Sequence, residues 1–119
     1  MKRIMIFDDD TDILEILTYL LKEKGWEVYT QTTCDNIIEA VADRKPDIIL
    51  MDNWIPGTGG VVATQTLKQH PVYGRVPVVY FSANNDIEKL SQQAGADAYL
   101  AKPFDLDELE EIISQFYVE

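Results

Sequence analysis

At 119 residues, with 46% hydrophobic and 26% charged positions, the chain has the make-up of one ordinary globular domain over residues 1–119, able to bury roughly two thirds of its unfolded surface; disorder is excluded. The formal net charge of −11, with a pI near 4.3, repels phosphate backbones and weighs against nucleic acid as a direct partner. The single Cys34 cannot form an internal disulfide, no apolar run approaches the roughly 18 residues of a membrane span, and Met1-Lys2-Arg3 leads straight into a strand rather than a signal segment, so the expected location is cytoplasmic and no membrane partner is expected.

Along the chain, short apolar or β-branched runs alternate with helical patterns. The first run, Lys2–Phe7, is followed by Ile13, Ile16, Leu17, Leu20 and Leu21 at the three-and-four spacing of one helix face. Lys22 and Lys24 suit the last turn of that helix, and Gly25 stands where a left-handed cap belongs. A second strand is predicted over Trp26–Thr30 and a second helix over Asp35–Arg44, ending before Pro46. The third pair is a strand at Asp47–Met51 and a helix from about Val61 to Gln69, stopped by Pro71. The fourth is Val76–Phe81 with a helix at Asp86–Ala94 that Gly95 ends. The fifth is Ala98–Ala101 with a helix at Leu106–Phe116. Five strand–helix pairs require right-handed crossovers, hence an α/β domain with a parallel sheet and helices on both faces. The third and fourth strands are almost continuously apolar, as strands buried on both sides must be.

In such sheets functional groups gather beyond the carboxyl ends of the strands. The first strand delivers Asp8 and Asp9 there, the third Asp52, the fourth Ser82 followed by Ala83, and the fifth Lys102 just before Pro103; Gln31 and Thr32 after the second are undistinguished. Separated segments thus bring three carboxylates, a hydroxyl and a lysine to one edge. Carboxylates about 4 Å apart repel by ~4 kcal/mol per pair at an effective dielectric near 20. Lys102 offsets one charge and a hard divalent cation offsets two. An all-oxygen donor set of few carboxylates suits Mg²⁺, and the single imidazole, His70, sits at a helix end beside Pro71, away from this edge. A carboxylate there can attack a phosphoryl group in line, with Mg²⁺, Lys102 and Ser82 stabilising charge on its equatorial oxygens.

The strings IMIFDDD, IILMDNWIPGTGG, VVYFSAN and GADAYLAKPF, in this order and spacing, resemble the receiver domain of two-component response regulators, of the single-domain chemotaxis type. The resemblance spans the whole chain. It implies a flavodoxin-like (βα)5 three-layer sandwich with strand order 2-1-3-4-5, and a phosphorylation-dependent switch rather than a turnover enzyme. It makes Asp52 the phosphoacceptor for a phosphohistidine partner, a sensor histidine kinase or histidine phosphotransfer protein. Asp8 and Asp9, with Asp52 and the backbone carbonyl of Trp54, hold Mg²⁺ in that pattern. Ser82, the Ala83 N–H and Lys102 bind the phosphoryl group, Ser82 and Tyr99 form the switch, and the Lys102–Pro103 peptide is cis. A downstream protein target would meet the face of helix 4, strand 5 and helix 5. Trp54 and Asn84 fall at variable positions that tune phosphoryl lifetime, and the Trp54 side chain is expected to shield the acceptor from water.

Several of these residues have plainer uses. Asp10 and Asp12 suit a helix start, where acidic groups cap free N–H groups and complement the dipole. Ser82 could cap the fourth helix, as could Asn84 or Asn85. Tyr99 could be a core aromatic, His70 an exposed helix-end residue, and Cys34 a small buried residue. The acidic fifth helix could be no more than a solvated face. Two other functions compete. A haloacid-dehalogenase-like phosphatase would use Asp8 as nucleophile in Asp8-Asp9-Asp10, although Thr11-Asp12 replaces the Gly-Thr that normally follows. A receiver-like interaction module would never take phosphate. A calcium loop fails, because Ile13 and Tyr19 stand where glycine and glutamate are needed.

Overall fold

The computed structural model describes residues 2–117. The strands are β1 (Arg3–Phe7), β2 (Glu27–Gln31), β3 (Ile48–Asp52), β4 (Val78–Ser82) and β5 (Ala98–Ala101); the helices are α1 (Thr11–Glu23), α2 (Ile37–Arg44), α3 (Gly60–Lys68), α4 (Ile87–Ala94) and α5 (Leu106–Ser114). The strands form one parallel sheet in the order β2-β1-β3-β4-β5, the doubly wound topology expected. Strand periodicity divides the core in two. Met5, Phe7, Ile49, Met51, Val78 and Tyr80 face α2, α3 and α4. Their neighbours Ile4, Ile6, Ile48, Leu50, Val79 and Phe81 face α1 and α5, through Leu14, Leu17, Leu21, Leu109 and Ile113. Every residue of β3 and β4 is buried. Asp52 and Ser82, at their ends, are therefore carried on strands buried along their whole length.

The helix ends follow local chemistry. Asp10 caps α1, its carboxylate accepting from the N–H groups of Asp12 (3.0 Å) and Ile13 (3.3 Å). At the other end, Trp26 N–H donates to the Leu21 carbonyl and Gly25 N–H to Lys22, with Gly25 at φ +90°. This pair of bonds is a Schellman motif, and it takes Trp26 out of β2. Several expected boundaries move for similar reasons. Asp47 precedes β3 and its side chain accepts from Arg3 N–H at 2.8 Å. A 3-10 turn at Tyr73–Arg75, unforeseen from the sequence, delays β4 to Val78. Asp35 lies outside α2, its carboxylate taken by Thr58. β3 and β4 each run one residue further than expected, so Asp52 and Ser82 are the last residues of their strands. His70 is half-buried rather than exposed: its Nδ1 accepts from the N–H groups of Val72 and Tyr73, both at 3.1 Å.

Candidate functional site

At the carboxyl edge, the ends of β1 and β3 are adjacent in the sheet, Phe7 pairing with Met51. Asp8, Asp9 and Asp52 follow from that register, and each offers a carboxylate oxygen within 4.8 Å of the others. Asp8 and Asp52 are 1% and 4% exposed, so water relieves little of their repulsion, whereas Asp9 is exposed. Lys102 reaches in from the end of β5 and bridges the two buried carboxylates: its Nζ stands 2.9 Å from Asp8 Oδ2 and 3.0 Å from Asp52 Oδ1. The ammonium also lies 4.5 Å from the centroid of the Phe81 ring, a favourable cation–π position. Backbone amides engage the remaining oxygens. Asp10 N–H donates to Asp8 Oδ1 at 2.9 Å, and Trp54 N–H to Asp52 Oδ2 at 3.0 Å.

Burial pushes the Asp52 carboxyl above its ordinary value; the hydrogen bond from Lys102 opposes this, and the charge of Asp8 adds to it. For Lys102, burial alone would depress the ammonium, but its bonds to Asp8 and Asp52 outweigh that and raise it. The lysine therefore stays charged, while Asp52 is left incompletely compensated. Three carboxylates against one ammonium leave two negative charges. The donors are all hard oxygens, which fits a divalent cation of the Mg²⁺ kind.

Ser82 is buried at the end of β4; its Oγ accepts from Asn84 N–H at 3.2 Å and its carbonyl from Lys102 N–H at 2.9 Å. The serine thus shapes the turn after β4, while α4 begins at Ile87 with Asp86 as its flanking residue. Ala83 is exposed and borders Lys102 along an apolar groove of about 350 Å³ lined by Ile13, Leu20, Pro103, Phe104 and Leu106. The Lys102–Pro103 peptide is cis, as expected. Tyr99 is 41% exposed, so it is not a core aromatic in this state. The Trp54 side chain is 77% exposed. Two supporting contacts were not anticipated. Asp35 holds Thr58, and the Tyr80 hydroxyl donates to Asn53 Oδ1. The second had a signal, since a tyrosine in a fully buried strand needs a partner for its hydroxyl.

A doubly wound α/β domain with an acidic trio and a bridging lysine at its carboxyl edge belongs to the class of folds built for phosphate and metal chemistry at that edge. The profile of the response regulator receiver domain matches residues 4–114, and the chain belongs to that family. Its members are phosphorylation-dependent switches of two-component systems, not enzymes that turn over an external substrate, which removes the phosphatase alternative. The chain is 33% identical over 110 residues to the phosphate regulon transcriptional regulatory protein PhoB of Pseudomonas aeruginosa, a match covering 91% of this chain and 48% of that protein; the chain spans about half the length of this relative. The receiver domain of the sensor histidine kinase PA1611 from P. aeruginosa, solved with magnesium coordinated in its active-site cleft, superposes with a TM-score of 0.88 at 27% identity, covering 97% of this chain and 96% of that one. The response regulator TrrA of Thermotoga maritima, solved with Mg²⁺-BeF, has a TM-score of 0.87 at 25% identity, covering 98% and 100%. Among the described residues, no helix is long and apolar enough to cross a membrane.

Proposed function

We propose that this chain is a single receiver domain over residues 1–119 that accepts a phosphoryl group on Asp52 from the phosphohistidine of a sensor kinase or phosphotransfer protein. The observation that carries this is the Lys102 ammonium bridging Asp8 and Asp52 at 2.9 and 3.0 Å in a buried acidic cluster. Asp8, Asp9, Asp52 and the Trp54 backbone carbonyl would hold Mg²⁺, which when bound neutralises charge on the phosphoryl oxygens. An Asp52 oxygen forms the new P–O bond as the donor's P–N bond breaks, its nitrogen keeping that electron pair. Lys102 then exchanges its contact with the Asp52 carboxylate for one with the phosphoryl group. Ser82 Oγ and the Ala83 N–H supply further donors to the phosphoryl oxygens. Catalysis is positioning and electrostatics, as elsewhere in phosphoryl transfer.

Ser82 turning toward the phosphoryl group gives up its contact with Asn84 N–H and opens space into which exposed Tyr99 can rotate. Two packings of similar energy then change the surface of α4, β5 and α5, which would meet a downstream protein target. The net charge of −11 disfavours direct nucleic acid contact by this domain, and a cytoplasmic location fits a kinase-fed switch.

A small phosphodonor such as acetyl phosphate with Mg²⁺ should label the protein once, at Asp52, by intact mass and peptide mapping. Label that survives in Asp52→Asn, or that maps to Asp8, overturns the proposal.

A further inference from the structure

The segment between β3 and α3 carries Trp54, whose N–H holds Asp52 Oδ2 at 3.0 Å. It also contains Gly57 and Gly59 at φ +86° and +83°, a backbone with wide conformational freedom. Firm placement of Trp54 therefore depends on side chains that fasten the segment. Two fastenings lie at its far end. Asp35 Oδ1 accepts from Thr58 N–H at 2.9 Å and Thr58 Oγ1 at 2.6 Å, and the Gly59 carbonyl accepts from Cys34 Sγ at 3.5 Å. A third lies at the near end, where the Tyr80 hydroxyl donates to Asn53 Oδ1. Asn53 is the residue between Asp52 and Trp54, so of the three side-chain fastenings this one stands nearest the acceptor; the Asn53 carbonyl also accepts from Gly60 N–H at 3.4 Å.

The Tyr80 side chain is fully buried in β4, in register with Met51 of β3 and packed in the same core cluster as Ile55 and Ala63. Gly60, the first residue of α3, closes over the contact: a Cβ there would stand 3.0 Å from the Tyr80 hydroxyl and 3.1 Å from Asn53 Cα. Burial, and then the Asp52 charge, push the phenol above its ordinary range, so it remains a donor throughout the working pH range. Tyr80 thus ties the strand that carries Ser82 to the residue that follows Asp52.

We infer that Tyr80 is a positioning residue of the metal and phosphoryl site: through Asn53 it fixes the Asp52–Trp54 backbone in the arrangement that binds Mg²⁺. The inference rests on the site assignment proposed above. Groups that orient metal ligands without touching the metal are worth roughly ten- to a hundred-fold in affinity.

The experiment is a Mg²⁺ titration, followed by calorimetry and by the Trp54 amide resonance, on the wild type, Tyr80→Phe, Asn53→Ala, the double variant and Asp52→Asn, with urea unfolding of each in the absence of Mg²⁺. Tyr80→Phe keeps the ring and removes the hydroxyl. It should weaken Mg²⁺ about tenfold, Asn53→Ala should do the same, and the double variant should be no weaker than either. A lower urea midpoint with Mg²⁺ affinity within about twofold of wild type, or losses that multiply in the double variant, overturns the inference. If Tyr80→Phe does not fold, Asn53→Ala decides on the same affinity criterion. A wild type that binds no Mg²⁺, or an Asp52→Asn variant that binds it as well as wild type does, overturns the site assignment itself. Wild-type binding lost in Asp52→Asn but kept in Tyr80→Phe overturns only the role of Tyr80.

Discussion

Asp52 is held between opposing influences, with burial and the Asp8 charge raising its carboxyl above the ordinary 3.8 against the pull of Lys102. A carboxyl that binds its proton more tightly when folded makes stability fall as pH rises from the unfolded value through the folded one; above that window the full penalty stands. Asp52→Asn should therefore raise the melting temperature in EDTA near pH 7. The gain should shrink as pH falls toward the unfolded value and vanish below it. A melting temperature unchanged or lowered near pH 7 would count against this account. Thr64 poses a simpler case, since its Oγ1 is buried in α3 with no hydrogen-bond partner. Thr64→Val should be neutral or should stabilise by about 1 kcal/mol in urea unfolding, and a loss of that size would contradict it. The placing of Asp8, Asp9, Asp52, Ser82 and Lys102 at one edge was legible beforehand because each stands at or just beyond the end of a strand, and strand ends converge in this topology whatever the side-chain details. Tyr80 and Asp35 were not, because their partners are set by register and loop geometry that no local pattern encodes.

Helices and strands were legible to within a few residues wherever periodicity and a terminating glycine agreed, as at α1 with Gly25 and α4 with Gly95. The stretch between α3 and β4 was not, because its structure depends on a side chain reaching back from the helix. Lys68, in the last turn of α3, donates from Nζ to the carbonyls of Gly74 (3.3 Å) and Val76 (2.8 Å) and to Asp97 Oδ2 (2.5 Å), which also accepts from Val78 N–H at 2.8 Å. One ammonium thus joins α3, the 3-10 turn, the start of β4 and the turn before β5. Lys68→Met keeps the stem, removes the donor to the Gly74 and Val76 carbonyls and leaves Asp97 without its cation, and should lower stability by about 2 kcal/mol. The chemical-denaturation midpoint should fall at constant slope. Because the clip lies at the edge of the sheet opposite Asp52, Mg²⁺ affinity should not change; a coupled loss of affinity would show that the two edges communicate.

Over the whole molecule, 21 acidic residues face 10 basic ones, so self-repulsion lowers the stability of the folded state. Raising NaCl from ~0.01 to ~0.15 M should stabilise by on the order of 1 kcal/mol, or roughly 4 °C. MgCl2 at matched ionic strength should add more by binding the folded state alone, and this excess should vanish in Asp52→Asn. Equal effects of the two salts on the wild type would mean that Mg²⁺ only screens. The contacts that close the acidic site join residues 94 and 50 positions apart, Lys102 to Asp8 and to Asp52. Synthesis from the amino end therefore produces both buried carboxylates well before their ammonium. Without β5, the carboxylates beyond β1 and β3 lack the cation that bridges them. A chain truncated before β5 would therefore keep Asp8 and Asp52 and lack the ammonium that bridges them.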